Sequence, residues 1–150
     1  MMMMVSRFLM QLSAETEAMR AHRALRVLVV EDSFMTARLI AKMIESFGAE
    51  VLGPAPSVAK AMALMDAKDF DGAVLDINLG TETVEPVARR LEEAGLPYFF
   101  VSGYSSPKSM LSNPKFRERT LLSKPVDPRE FERAFADTIR PDAGGVTVQA

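Results

Sequence analysis

The spacing of apolar positions changes several times along this chain, and each change marks an element. Arg26-Val27-Leu28-Val29-Val30 is a short continuous aliphatic run, the pattern of a strand buried on both faces. Leu39, Ile40, Met43, Ile44 and Phe47 then recur at helical spacing and Gly48 follows as a stop, which predicts an amphipathic helix with an apolar face toward the sheet. Glu50-Val51-Leu52-Gly53-Pro54 reads as a short strand broken by its Gly and Pro. Ser57 is a good N-cap for a second helix carrying Val58, Ala61, Met62 and Met65 on one face. Ala73-Val74-Leu75-Asp76 gives a third strand, and a third helix turns Val84, Val87, Ala88 and Leu91 inward. Its Pro86 is tolerable only in the first turn, and Gly95 closes it. Tyr98-Phe99-Phe100-Val101 and Thr120-Leu121-Leu122 are the fourth and fifth strands. The last helix opens with Asp127 as N-cap, Pro128 at the first position and Glu130 as a capping-box acid, and buries Phe131, Ala134, Phe135 and Ile139 before Pro141 ends it. Between residues 105 and 119, Pro107, Pro114 and several Ser interrupt any stripe, so at most a short helix is expected there.

Five strands alternating with helices predict a parallel α/β sheet covered on both faces, because parallel strands need crossover connections. The sheet domain is expected over residues 25–140. Residues 1–24, Ala-rich among charges, are expected as an N-terminal helical extension, and residues 141–150 as a loose tail. A total of 150 residues suits one domain. Hydrophobic residues at 48% and charged residues at 25% are globular proportions and exclude a disordered or low-complexity chain. A net charge of −2 leaves no basic excess to draw in nucleic acid or acidic lipid. With no Cys and a single His, His22, disulfides, thiolate metal sites and a Cys nucleophile are out, and a Ser-His-Asp triad is nearly so. The Met-rich start has its charge inside a short apolar stretch and reads as non-targeting, and no run approaches the ~18 apolar residues of a membrane span. A cytoplasmic location is expected.

In open α/β sheets a ligand site forms at the carboxyl ends of the strands, and polar residues stand at those ends here. Glu31 and Asp32 follow the first strand, Asp76 ends the third, Ser102 follows the fourth and Lys124 the fifth. Any one of these is more often a cap or a solvated turn. Together their chemistry agrees. Clustered carboxylates repel one another unless a cation sits among them, and a few hard oxygen ligands suit Mg²⁺, which also takes up phosphate oxygens. Phosphoryl transfer needs a nucleophile, a metal and groups that balance charge on the equatorial oxygens. Asp76 can serve as the carboxylate nucleophile, with Lys124 and Ser102 holding phosphoryl oxygens.

The motifs Val29-Val30-Glu31-Asp32-Ser33, Leu75-Asp76-Ile77-Asn78-Leu79, Val101-Ser102-Gly103-Tyr104 and Ser123-Lys124-Pro125 together resemble a response-regulator receiver domain of two-component signalling. The resemblance spans residues 25–140. It implies a flavodoxin- and CheY-like five-stranded parallel sheet in the order 2-1-3-4-5. It also implies phosphorylation of Asp76 by a histidine kinase or phosphotransfer protein, with Mg²⁺ held by Asp32, Asp76 and the backbone carbonyl of Asn78, and Glu31 assisting through water. The Lys124-Pro125 peptide is often cis in the family. Pro97-Tyr98-Phe99-Phe100-Val101-Ser102-Gly103-Tyr104 further resembles the single-domain subgroup called FAT GUY, with departures at Tyr98, Val101 and Ser102. Leu121 replaces the family's usual aromatic switch residue, and the fourth helix is weak. Ser102 with Tyr104, whose ring can be buried or exposed with real energetic effect, is therefore the expected switch.

These readings converge on a stand-alone receiver that catalyses its own aspartyl phosphorylation and dephosphorylation without being a turnover enzyme, and that signals through a downstream effector protein. Two alternatives stay open, a phosphate sink that drains a kinase and a non-phosphorylated scaffold. His22 lies in a basic run with no four-helix bundle to carry it and is read as a solvated surface residue. The Met residues of the helix faces, Met43, Met62 and Met65, are read as core packing.

Overall fold

The computed structural model describes residues 6–12, 24–103 and 108–140. Five strands alternate with helices: β1 (Arg26–Val30), α1 (Phe34–Ser46), β2 (Glu50–Ala55), α2 (Val58–Ala67), β3 (Gly72–Leu75), α3 (Glu85–Ala94), β4 (Tyr98–Ser102), α4 (Pro114–Arg117), β5 (Leu121–Ser123) and α5 (Pro128–Thr138). All strand pairs are parallel, in the order β2-β1-β3-β4-β5, as the resemblance implies.

Side chains of a strand alternate between the two faces of a sheet, and here both faces are covered. Val27, Val29, Phe99 and Val101 meet α1 and α5 through Ile40, Ile44, Phe131 and Phe135. Leu28, Val30, Leu75 and Phe100 meet α2, α3 and α4 through Ala61, Met65, Leu91 and Phe116. That double cover explains why β1, β3 and β4 read as unbroken apolar runs. Caps set the helix starts: Ser57 Oγ accepts from Lys60 N–H at 3.2 Å, and Asp127 Oδ1 accepts from Arg129 N–H at 2.8 Å. Gly95, at φ 69°, ends α3 in the left-handed region that favours glycine.

Several details differ from the sequence reading: β3 runs Gly72–Leu75, one residue earlier than the expected Ala73–Asp76, and β4 extends to Ser102. β2 is not broken at Gly53-Pro54 but continues to Ala55, because a bulge absorbs both residues where β2 pairs with β1 between Leu28 and Val30. Leu39 is exposed, since the face of α1 that meets the sheet is Ala37, Ile40, Met43 and Ile44. β5 runs one residue later than expected, ending at Ser123. Among its described residues, the weak region before β5 holds a 3₁₀ turn, Lys108–Met110, and the four residues of α4, anchored by buried Leu111 and Phe116. The Glu85 carboxylate ties this region to α3 by accepting from both Ser112 N–H and Ser112 Oγ. Residues 6–12 are helical, with Phe8, Leu9 and Met10 exposed. Tyr104, His22, most of the N-terminal extension and the tail fall outside the described residues. Among the described residues no helix is long and apolar enough to cross a membrane.

Candidate functional site

Parallel pairing brings the carboxyl ends of β1, β3, β4 and β5 to one edge of the sheet, where β1 delivers Glu31 and Asp32 and the other three deliver Asp76, Ser102 and Lys124. The β1–β3 register carries on past Val30 and Leu75, with Asp76 N–H donating to the Val30 carbonyl at 2.9 Å. Glu31 N–H donates to the Ala55 carbonyl at 2.9 Å, so the bulged end of β2 orients the residue that follows β1. Lys124 N–H donates to the Ser102 carbonyl at 2.9 Å, extending the β4–β5 ladder by one residue. The Lys124-Pro125 peptide that follows is cis.

Glu31, Asp32 and Asp76 come together, each offering a carboxylate oxygen within 4.8 Å of the others. Glu31 and Asp76 are buried and Asp32 is exposed. Lys124 Nζ donates to Glu31 Oε1 and to Asp76 Oδ2, both at 2.9 Å. Asp76 Oδ1 accepts from Ser102 Oγ at 3.2 Å and from Asn78 N–H at 3.3 Å. Asp76 thus carries a donor on each oxygen at the floor of an acidic pocket. Glu31 Oε1 also accepts from Ser33 N–H at 3.1 Å, whereas Glu31 Oε2 is buried without a hydrogen-bond partner among the described residues.

The electrostatics follow from that crowding. Burial, with the neighbouring Asp76 carboxyl adding to it, pushes Glu31 up to about 7 against the pull of Lys124. Burial alone lowers Lys124, but its bonds to Glu31 and Asp76 overcome this and hold its pKa above the ordinary value. α1 begins directly after Asp32, with Ser33 as its N-cap, so the positive end of a helix dipole stands beside the acid cluster. A buried carboxylate oxygen without a donor, next to two further carboxylates and a single Lys, fits a hard divalent cation of few protein ligands.

Asn78 enters through its backbone N–H on Asp76, while its side-chain oxygen accepts from Gly80 N–H at 3.1 Å and shapes the turn. Leu121 is half-buried and packs with the core on the α2–α4 face. The backbone donors of Ser33 and Asn78 are site contributors that sequence reading missed. A main-chain N–H leaves no signature in residue type, and only the position of a turn could have revealed them.

The model of the response regulator receiver domain matches residues 27–136. The chain belongs to that family. Among solved structures, SdrG from Sphingomonas melonis Fr1 is 31% identical with a TM-score of 0.66, and the match covers 75% of this chain and 94% of SdrG. The BeF3-activated conformation of SdrG is similar at 32% identity and a TM-score of 0.61, covering 75% of this chain and 95% of that one. A CheY-like receiver domain protein from Methanospirillum hungatei JF-1, 21% identical over 77% of this chain and 93% of its own, shares the fold at a TM-score of 0.67. No curated protein matches the chain significantly in sequence. As a receiver domain it works in two-component signalling, opposite a histidine kinase or phosphotransfer protein.

Proposed function

We propose that this receiver stands alone, accepts a phosphoryl group on Asp76 and signals by phosphorylation-dependent binding of an effector protein. The carrying observation is the setting of Asp76, buried at the end of the central strand β3 with Lys124 on one oxygen and Ser102 on the other. An Asp76 oxygen attacks the phosphorus of a phosphohistidine, the P–N bond breaks, and the imidazole leaves with its electron pair. Lys124 and Ser102, already aimed at the carboxylate, then balance charge on the phosphoryl oxygens. Asp32, Asp76 and the Asn78 carbonyl would hold Mg²⁺, with Glu31 alongside. Bound there, the ion supplies charge neutralisation for the transferring group.

The stand-alone role draws support from the likeness to SdrG, nearly all of whose chain is covered, and from the Pro97-to-Tyr104 stretch resembling the FAT GUY subgroup. A beryllofluoride-activated form of that relative also favours a phosphoryl-accepting carboxylate here. Incubation with Mg²⁺ and a small acyl-phosphate donor should add one hydroxylamine-labile acyl phosphate, counted by intact mass, and Asp76→Asn should abolish it. Undiminished labelling of the variant would remove Asp76 from the role.

A further inference from the structure

The connection from Asp76 to α3 is braced along its length. Leu79 N–H donates to the Glu82 carbonyl and Val84 N–H to the Ile77 carbonyl, both at 2.9 Å, and Asn78 bridges Thr83 across the turn. Gly80 N–H donates to Asn78 Oδ1 at 3.1 Å, and Ile77, Leu79 and Val84 are buried in the core on the α2–α4 face. A stretch tied in this way and anchored by three packed side chains passes a displacement on rather than absorbing it.

Two glutamates join this unit to its neighbours. Glu82 Oε2 accepts from Val58 N–H at 3.2 Å, at the start of α2. Glu85, the first residue of α3, accepts from Ser112 N–H on one oxygen and from Ser112 Oγ on the other. Among the described residues, Ser112 is the one member of 108–117 that hydrogen-bonds another element. Leu111 and Phe116 hold that segment to the core by burial, so its polar attachment to α3 is the Glu85 carboxylate. Two oxygens on one residue fix it in direction as well as position.

At the other end of the connection, Asn78 N–H donates to Asp76 Oδ1, the oxygen that Ser102 Oγ also reaches. A phosphoryl group on Asp76 turns one carboxylate oxygen into an ester-type oxygen, a poorer acceptor, and sets three strong acceptor oxygens beside it. The bond from Asn78 then has to be remade. We propose that the Glu85–Ser112 clasp is a latch through which the braced connection reports the state of Asp76 to residues 108–117, by a route that bypasses Ser102. This rests on the reading of Asp76 as phosphoryl acceptor. The two placements of 108–117 differ in whether the clasp is closed, which supplies the differential contact that a population shift requires.

Amide hydrogen exchange on the full chain, read residue by residue by NMR with and without beryllium fluoride and Mg²⁺, tests the latch. In the unmutated protein, filling the site should shift the signals of residues 76–84 and change exchange over 108–117 several-fold. Glu85→Ala should speed exchange at the Ser112 amide by about tenfold in the free protein. It should also shrink the response of 108–117 to less than half while the shifts at 76–84 persist. Glu85→Gln, which keeps an acceptor oxygen, should fall between the two. Glu82→Ala, which frees Val58 N–H instead, should leave the response of 108–117 intact. Unchanged Ser112 exchange in Glu85→Ala would overturn the clasp, and a full response of 108–117 in that variant would overturn the relay. A response lost equally in Glu82→Ala would overturn it too, by making general loosening of the connection the cause. An unmutated protein with no shift at 76–84 would sink the acceptor reading and the latch with it, whereas shifts confined to 76–84 would sink the latch alone.

Discussion

Gly53 shows how one residue sets the geometry of the pocket from outside it. Its φ is 100°, and a Cβ there would lie 2.7 Å from the Ala55 nitrogen and 3.1 Å from the Val29 carbonyl oxygen. Both contacts are with backbone, so neither can swing away. The bulge this residue permits delivers the Ala55 carbonyl to Glu31 N–H. Gly53→Ala should therefore cost about 2 kcal/mol of stability, from the left-handed conformation and the displaced strand end. Urea unfolding of the variant measures that loss, and an unchanged midpoint would show that β2 repacks freely. Sequence reading took the same Gly53-Pro54 pair as a break in the strand because both residues weaken ladders. On the edge strand β2 a bulge accommodates them. Residue type announced the irregularity, and only the pairing with β1 decides its form. At the site, Glu31, Asp32, Asp76, Ser102 and Lys124 were legible because each stands within two residues of the end of an apolar run. Asn78 was legible only by family likeness.

At the scale of elements, α3, β4 and the turn before β5 are clasped by a polar cluster that no sequence pattern announced. Tyr98 Oη donates to Glu92 Oε1 at 2.7 Å, Arg119 Nε donates to the same oxygen at 2.8 Å, and the Arg119 guanidinium lies over the Tyr98 ring at 5.5 Å. The three residues are separated in sequence by intervals unrelated to any helix or strand period, which is why the cluster was invisible before the fold. Partial burial raises the Glu92 carboxyl, but the Tyr98 and Arg119 bonds outweigh it, and its pKa falls below the ordinary 4.5. A depressed carboxyl contributes stability that is fully present above its unfolded value and is lost as pH falls through the folded one. The protein should accordingly lose part of its thermal stability below about pH 4.5 through this group. Because Arg119 is half in solvent, the clasp is worth about 1 kcal/mol at most, a few degrees in melting temperature. Glu92→Gln should melt lower than the unmutated protein at pH 7 and draw level with it near pH 3. A gap that persists at pH 3 would mean packing, and not the charge, holds the clasp. The helices themselves were readable, because Ser57 and Asp127 cap them by local bonds that depend on sequence alone. Leu39 was misplaced for the opposite reason: both it and Ile40 satisfy the helical spacing of α1, and only the packing of α1 on the sheet shows which one is covered.

For the molecule as a whole, two apolar layers on opposite faces of the sheet hold four strand ends in register, and the cost of that rigidity is a set of carboxylates that cannot move apart. Glu31, Asp32 and Asp76 crowd together, and Lys124 pairs with the two buried ones, Glu31 and Asp76. In the unfolded chain Asp76 is far from the adjacent Glu31 and Asp32, so a divalent cation held by all three would bind only the folded state, and its binding free energy would add to stability. At a Mg²⁺ concentration ten times the dissociation constant the gain is about 1.4 kcal/mol. Melting in Mg²⁺ should exceed melting in EDTA by a few degrees, a shift of the size that gain produces in a domain of this length. Asp32 is the informative position, because it is exposed and lies at the mouth of the cluster, where replacement costs no core packing. Asp32→Asn removes one of the repelling charges. In EDTA the variant should therefore be as stable as the unmutated protein or more so, while its gain from Mg²⁺ should largely disappear. The two changes have opposite signs and come from one substitution, so a general loss of folding cannot imitate them. An Mg²⁺ increment that survives in Asp32→Asn would place the cation elsewhere, and a variant less stable in EDTA would show that Asp32 holds the fold by a contact rather than straining it by its charge.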